Sequence, residues 1–552
     1  MIKKHRRFLK ENERLLLIVL FAAVVAVMGV FRVLSTDKKF DQHPAGTYEP
    51  LSPDTNTEDP LKYIDEDFAV KDGFHTNLPI VILKLDSDIP DYKTFKYSVE
   101  MIIEGVEPYT TGSMRIIDTG TGINTLDDPA DYQSSIRIKA KGHSSYRYDK
   151  KQYKIKALNK DGTSNKTDIL GMGEGSEWVI NGSMADKSMI RNYLAYRIAS
   201  EIDGNNMSPD SRYCEVLMEK EDGLYYQGVF LLMETVDQGK DRVHIDKYKP
   251  KNIQSSYIVR RDRLTSFDIM LKTYGRENIS ENELESLPTD NWIGLKYPAA
   301  SKVTDQTIEY ITKDFSKIEK VIYSKNESIF RMYDKYIDVD SFVDYFLINE
   351  FFGNYDAGEH STYMYKNTGD VLCMGPVWDY DQALNNSPFE ELDTENIAFQ
   401  TQTFYAELCN DKKFIRKLKT RYSKLRERSL SEEHIFNVID ETVSYLKSAQ
   451  EREWYRWAAD YYDDSNKNAG NFQLQSYIRD GVLLKRFNDE YTEEIYVIKK
   501  YISEHGSVIK NDLKKWEGTA KLDTTTVGLP ALLFLAMMSL LLLPSYLISR
   551  KG

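Results

Sequence analysis

The sequence predicts an α+β protein: a smaller sheet-rich part, then a larger helical part, with an apolar segment near each end. Three observations predict it. Short apolar or alternating runs fill the stretch from about 78 to about 233. From about 404 to 516, apolar residues recur at spacings of three and four among dense Lys and Glu. Leu15–Phe31 and Val527–Ile548 contain no charged residue. Strands first and helices later suit two packed lobes better than a βαβ repeat.

The elements follow in order. Residues 1–14 are basic, with Lys3, Lys4, Arg6, Arg7 and Lys10, and 15–33 reads as a transmembrane helix. A second is expected at 527–548, followed by Arg550 and Lys551 in the tail 549–552. Each run is close to the length needed to cross a hydrocarbon core of roughly 30 Å. The flanking cations place both termini in the cytoplasm, so 34–526 is expected outside the plasma membrane. The exit FRVLSTDKK offers no small-residue cleavage site, so the first run reads as an uncleaved anchor. Residues 34–73 contain Pro44, Pro50, Pro53 and Pro60 among small polar residues and read as a linker, as do 517–526.

The sheet-rich part spans 74–235. Strands are expected at 78–85, 97–103, 114–117, 136–142 and 152–158, with the clearest alternation in the last two. Ile190, Leu194, Ile198 and Ile202 predict a helix over 187–203, with Asp186 as N-cap. Residues 212–218 and 224–233 read as a hairpin. The part 236–516 opens its predicted helices at 340–352, stopped by Gly353. A hairpin of 362–366 with 371–374 follows.

Composition narrows the function. A chain of 552 residues exceeds one ordinary compact core, and 41% hydrophobic with 12% aromatic residues implies folding rather than disorder. The net charge of −13 argues against a nucleic-acid partner, since phosphate backbones need a basic face. Cys214, Cys373 and Cys409 make neither a disulfide framework nor zinc-site spacing. HExxH, GxSxG and GxxxxGK[ST] are absent, which removes the simplest readings as zinc protease, α/β-hydrolase or P-loop NTPase.

Chemistry concentrates in a few places. Asn354-Tyr355-Asp356 follows the helix stop, and Asp379-Tyr380-Asp381 follows the second hairpin. On an extended backbone Asp379 and Asp381 point the same way and can hold Mg²⁺ or Mn²⁺, while a separate Asp takes a hydroxyl proton. The bland alternative is a solvated turn and a helix cap. Lys139, Lys141, Arg147, Lys150, Lys151, Lys154 and Lys156 crowd two adjoining strands. They can neutralise a polyphosphate, or simply dress a sheet face. The turn 142–146, with Ser144, offers hydroxyls and N–H groups to phosphates. Asp186 and Arg191-Asn192 either cap a helix or orient a lysine. Glu234 ends a long apolar strand and is either a surface residue or a hinge marker between lobes.

Together these segments resemble one family. KGHSSY, KKQYKIKA, DILGM, EWVINGSMADKSMIRNYLAYRIA, YYQGVFLLMETV, FLINEFFGNYDAGEHSTYMYKN and GPVWDYDQALNN, in this order over about 74–515, resemble the CotH family of spore-coat-protein-H-like atypical protein kinases. The resemblance implies a divergent protein-kinase-like fold, with a β-rich N-lobe at 74–235 and a helical C-lobe at 236–516. It implies ATP with Mg²⁺ or Mn²⁺, and a Ser/Thr acceptor on an envelope or coat protein. By position it makes Asp356 catalytic, Asp379 a metal ligand and Asp381 the second acid of a WD-x-D pattern. Lys154, with Lys151 as rival, takes the place of the phosphate lysine. Lys141, Ser144 and Glu234 complete the nucleotide set. Ser361 stands where the family commonly has a metal-binding Asn, and serine is a weaker ligand. Usual kinase signatures such as GxGxxG, HRD and DFG are not present as such. Two other readings remain: a kinase-like surface or assembly module without catalysis, and a glycosidase using Asp356 and Asp379 as its carboxylate pair.

Overall fold

The computed structural model describes residues 48–90, 108–142, 148–202, 207–264, 268–277, 292–354, 356–386, 399–462, 477–479, 482–484 and 490–524. Both apolar runs, the expected strand at 97–103 and Ser144 lie outside them. Among the described residues no helix is long and apolar enough to cross a membrane.

The first strands are β1 (Ile80–Leu85), β2 (Thr110–Ile117), β3 (Tyr132–Lys141), β4 (Gln152–Leu158) and β5 (Glu177–Asn181). Helix α1 (Arg191–Ser200) follows, then β6 (Ser211–Lys220) and β7 (Gly223–Glu234). These seven strands do not stay an open sheet. They close into a barrel in the order β6-β7-β5-β4-β3-β2-β1, sealed by a parallel pairing of β1 with β6. In β1 both faces are covered: Val81 and Leu83 pack inside the barrel, and Ile80 and Ile82 pack outside it with Ile64, Phe74 and Tyr226. One set of alternating side chains, including Val81, Ile136, Ile138, Ile155, Trp178 and Leu232, fills the interior. In β4 the alternation puts Tyr153 and Ile155 inside and Lys154 and Lys156 outside, as the pattern predicts.

The part expected to be mostly helical contains a second sheet. Strands β8 (Tyr257–Asp262), β9 (Ile269–Met270) and β10 (Trp292–Tyr297) precede helices α2 (Asp305–Ile322) and α3 (Val339–Phe352), then β11 (Thr362–Lys366) and β12 (Leu372–Met374). The sheet order is β9-β10-β8-β11-β12, antiparallel throughout. Only its β11–β12 hairpin was expected. The other strands are short and separated by long connections, so no repeated turn signal marks them. Helix α2 was also not anticipated, although Thr304 caps it and Ile311, Phe315, Ile318 and Ile322 form its buried stripe.

Helix α3 matches its expectation closely. Asp338 accepts from Asp340 N–H and Ser341 N–H, and Gly353 ends it at φ 60°. All its residues but Asp340 are buried, which makes it the central strut of the molecule. Helix α1 starts later than expected. Asp186 does not cap it; Ile190 occupies the cap position without a side-chain bond. The Asp186 carboxylate instead binds Ser188 N–H, Arg191 N–H and the Arg191 guanidinium, which holds 186–190 as a turn. The helices α4 (Lys412–Arg426), α5 (Glu432–Arg456) and α6 (Tyr491–Thr519) complete the chain, with a short hairpin of Tyr477–Arg479 and Val482–Leu484 before α6.

Residues 48–73, expected to be part of a linker, are a strap laid on the protein. Tyr48 donates to Pro209 O at 2.9 Å, and Asp54 meets α5 through Ser444 O and Ser448 N–H, both at 3.0 Å. Ile64 is buried with Phe74 against Tyr226. The polar composition that suggested a linker supplies these hydrogen bonds instead.

Helix α5 is fastened to the barrel by two buried ion pairs. Arg452 grips Glu215 with two bonds of 2.7 Å, and Tyr226 adds a third at 2.6 Å. The next residue, Glu453, takes Lys150 at 2.6 Å and Val229 N–H at 2.8 Å. Removing one partner strands a charge in the interior. Arg452→Met is expected to cost about 3–5 kcal/mol in denaturant unfolding, and adding Glu215→Leu to it should recover most of the loss.

Candidate active site

The site is built where α3, the β11–β12 hairpin and α1 meet. Gly353 turns the chain out of α3, and Asn354 then donates through Nδ2 to the Asp379 carbonyl at 3.2 Å. Two residues on, the Asp356 carbonyl accepts His360 N–H at 2.7 Å. This tight return carries the chain through Ser361 into β11 and leaves the Asp356 side chain at the edge of the core.

The second trio is held harder. Asp379 sits at φ 64°, a left-handed conformation that Asp tolerates better than most residues but that still costs energy. It is over-determined by neighbours. The Asp379 N–H donates to the Tyr196 hydroxyl at 3.2 Å, and the Tyr380 N–H to Asn192 Oδ1 at 2.7 Å. Tyr196 also donates to Asn192 Oδ1 at 3.1 Å, and Tyr380 to Asn349 Oδ1 at 2.7 Å. Asn192, noted in the sequence only as a residue near a helix start, is therefore the clamp on this loop. The left-handed turn also corrects an expectation: Asp379 and Asp381 are not on an extended backbone. Asp379 accepts from Ser361 Oγ at 3.3 Å, whereas Asp381 accepts from Ser183 Oγ at 2.6 Å.

The three carboxylates nevertheless share one electrostatic site. Burial raises the pKa of Asp356, Asp379 and Asp381 above the ordinary range. Asp356 and Asp262 push Asp379 further up, and Asp379, Asp186 and Asp356 do the same to Asp381. Opposing them, Lys141 and the Ser361 hydroxyl lower Asp379, while His360 and Arg263 lower Asp356. Asp262 and Arg263 were not anticipated. The register that pairs Arg261 with Thr362 brings this end of β8 beside the Asp356–Ser361 turn, which no local spacing reveals.

The lysines part company. On the barrel's outer face, Lys154 pairs with Glu177 at 2.6 Å, and Lys156 joins it at 3.2 Å. Burial pushes Glu177 upward, but Lys154, Lys296 and Lys156 outweigh it and hold the carboxyl well below its usual range. Lys141 is the lysine whose charge reaches Asp379. Its ammonium lies 5.3 Å from the Trp378 ring, and burial lowers its pKa against the pull of Asp379 and Asp262. Lys150 turns into the interior to Glu453. Lys151 begins the turn into β4, beside these residues in sequence. Glu234 is buried at the end of β7, where it accepts from Asp210 N–H at 2.9 Å and lies 3.9 Å from Arg242. It fastens the barrel's exit rather than joining the aspartates.

Among the described residues no three His, Cys, Asp or Glu side chains form a metal cage by themselves. The donor set still suits a hard divalent cation. Its carboxylate oxygens are half-buried and raise one another's pKa, a crowding that a cation would relieve, and Mg²⁺ is commonly held by one or two carboxylates together with substrate phosphates.

A family model described as CotH kinase protein matches residues 138–509. The chain belongs to the CotH kinase protein family. The match runs from β3 into α6 and includes all three site aspartates, Lys141 and the clamp residues of α1. No curated protein matches the chain.

The crowding of these half-buried carboxylates carries a stability consequence. Because the folded Asp379 binds its proton more tightly than the unfolded chain does, its charge destabilises the fold increasingly as pH rises through the folded pKa. In metal-free buffer, Asp379→Asn should raise the unfolding midpoint by a few degrees at alkaline pH and by nothing at acid pH. Mn²⁺ should then stabilise the parent more than the variant. Thermal melts across pH, with and without Mn²⁺, check both.

Proposed function

We propose that this CotH-family chain is a membrane-anchored, extracytoplasmic kinase that transfers the γ-phosphate of ATP to a hydroxyl, that of Ser or Thr on an envelope or coat protein. The observation that carries the reading is the mutual electrostatic influence of Asp356, Asp379 and Asp381, three half-buried carboxylates, with the Lys141 ammonium acting on Asp379. A surface module has no need to crowd three mutually repelling, half-buried carboxylates. Phosphoryl transfer does, because it relies on positioning and on cations drawn to such a site.

Each residue then has a role. Asp356, raised by burial, orients the acceptor hydroxyl and takes its proton as the oxygen–phosphorus bond forms and ADP leaves. Asp379 and Asp381 would hold Mg²⁺ or Mn²⁺, with the Ser361 hydroxyl beside Asp379; bound there, the cation neutralises charge on the phosphates. Lys141 adds a positive charge on the barrel side. Lys154 and Lys151 remain rivals for a second phosphate contact, and Lys154 must share its charge with Glu177. Ser144 follows Lys141 in sequence by three residues. Glu234, at the barrel's exit, stays in the proposed nucleotide set on the family resemblance alone.

A non-catalytic binding or assembly role is the second reading. It is favoured by Ser361, which spends its hydroxyl on Asp379 where a stronger ligand is usual. Transfer assays separate the two. Asp356→Ala should reduce phosphoryl transfer by about 10²- to 10⁴-fold while sparing nucleotide binding. Asp379→Ala should abolish metal-dependent ATP binding in calorimetric titration. ATP binding by neither parent nor variant, with Mg²⁺ or Mn²⁺, would favour the assembly role.

The anchoring part rests on the basic-flanked apolar segments 15–33 and 527–548. Protease added to intact cells should digest residues 34–526, and their protection would place the site on the cytoplasmic side.

A further inference from the structure

A small cavity of mixed lining lies beside Ser183, the residue whose hydroxyl donates to Asp381. Its polar walls come from Asn181 at the end of β5, Ser183 and Asp186 before α1, and Lys150, while apolar side chains of β7, Phe230 among them, close the rest. It has room for about one water molecule. Asn181 is 7% exposed, and its Oδ1 has no hydrogen-bond partner. Its Nδ2 reaches only the Met233 sulfur, at 3.9 Å. A buried amide oxygen left in this condition costs about 1–3 kcal/mol, so a partner is to be expected inside the cavity.

The remaining walls define that partner. The Lys150 ammonium has three N–H donors; one goes to Val229 O at 2.7 Å and one to Glu453 at 2.6 Å. The ammonium also lies 4.7 Å from the Phe230 ring, another wall of the cavity, and its third N–H is the donor left for a bound molecule. Ser183 donates its proton to Asp381 and keeps lone pairs to accept. The required molecule therefore accepts one hydrogen bond and donates two. It must be small and neutral, since the ammonium in the same wall repels a cation and the neighbouring Asp186 and Asp381 repel an anion.

We propose that this cavity binds one ordered water, which accepts from Lys150 and donates to Asn181 Oδ1 and to Ser183 Oγ. Its role is to position a residue of the site. By occupying a lone pair of Ser183, the water turns the Ser183 proton towards Asp381 and fixes that carboxylate. The same water ties Asp381 to the Lys150–Glu453 pair that docks α5. Its consequence for catalysis rests on the kinase reading, but its existence does not, and the test needs no nucleotide.

Asn181→Leu is nearly isosteric and gives opposite outcomes in the two cases. With a water bound, leucine expels it and deprives Lys150 and Ser183 of a partner, so the full chain should melt several degrees lower. Without one, leucine removes an unsatisfied amide and the midpoint should rise, which overturns the proposal. A high-resolution crystal structure of the full-length parent supplies the direct test, also if the variant does not fold. Density within hydrogen-bond distance of Asn181 Oδ1, Lys150 Nζ and Ser183 Oγ supports the site. A dry cavity, or an Asn181 amide satisfied by protein atoms alone, overturns it.

Discussion

The geometry of this protein depends on two adjacent charges at the end of α5. Arg452 reaches Glu215 on β6, and Glu453 reaches Lys150 at the entrance to β4. All four side chains are at most 2% exposed. Such pairs add little net stability over a well-packed apolar substitute, because desolvation offsets most of the attraction. Their value is directional. An apolar contact tolerates sliding, whereas a buried carboxylate must meet its cation in one arrangement. The barrel is thereby fixed against the helices, and with it the strand that carries Lys141.

The backbone accommodates this docking. Glu453 reaches Val229 N–H because β7 bulges beside Gly228, where the pairing with β6 shifts register. Gly228 has φ 117°, and a Cβ there would stand 2.2 Å from the Glu453 carboxylate. The position therefore requires glycine on both conformational and steric grounds. A one-residue irregularity in a strand thus admits the charge that orients a helix of 25 residues.

A similar logic governs the site. Asp379 is held left-handed by bonds from three separate elements: Tyr196 and Asn192 of α1, Asn354 beyond α3, and Ser361 before β11. The strain and the charge repulsion are stored in the same residue, and the surrounding packing maintains both. Neither feature by itself improves the fold.

Elements encoded by local chemistry are readable along the chain. The alternation of β3 and β4, the cap and glycine stop of α3, and the hairpins ending at Glu234 and Met374 are properties of neighbouring residues, so their patterns are legible without a structure. The aspartates were legible too, because two acidic trios flank a recognisable helix end and hairpin. Tertiary structure decided everything that depends on partners distant in sequence. It closed the strands into a barrel through the β1–β6 pairing and made a strap of a polar, proline-rich stretch. It also sorted four similar lysines into an interior anchor at Lys150, a Glu177-paired couple at Lys154 and Lys156, and a site-facing cation at Lys141. The physical reason is that a lysine's role is set by the carboxylate it meets and by the water it loses. Glu453 lies 303 residues from Lys150, and no spacing within a strand can announce it.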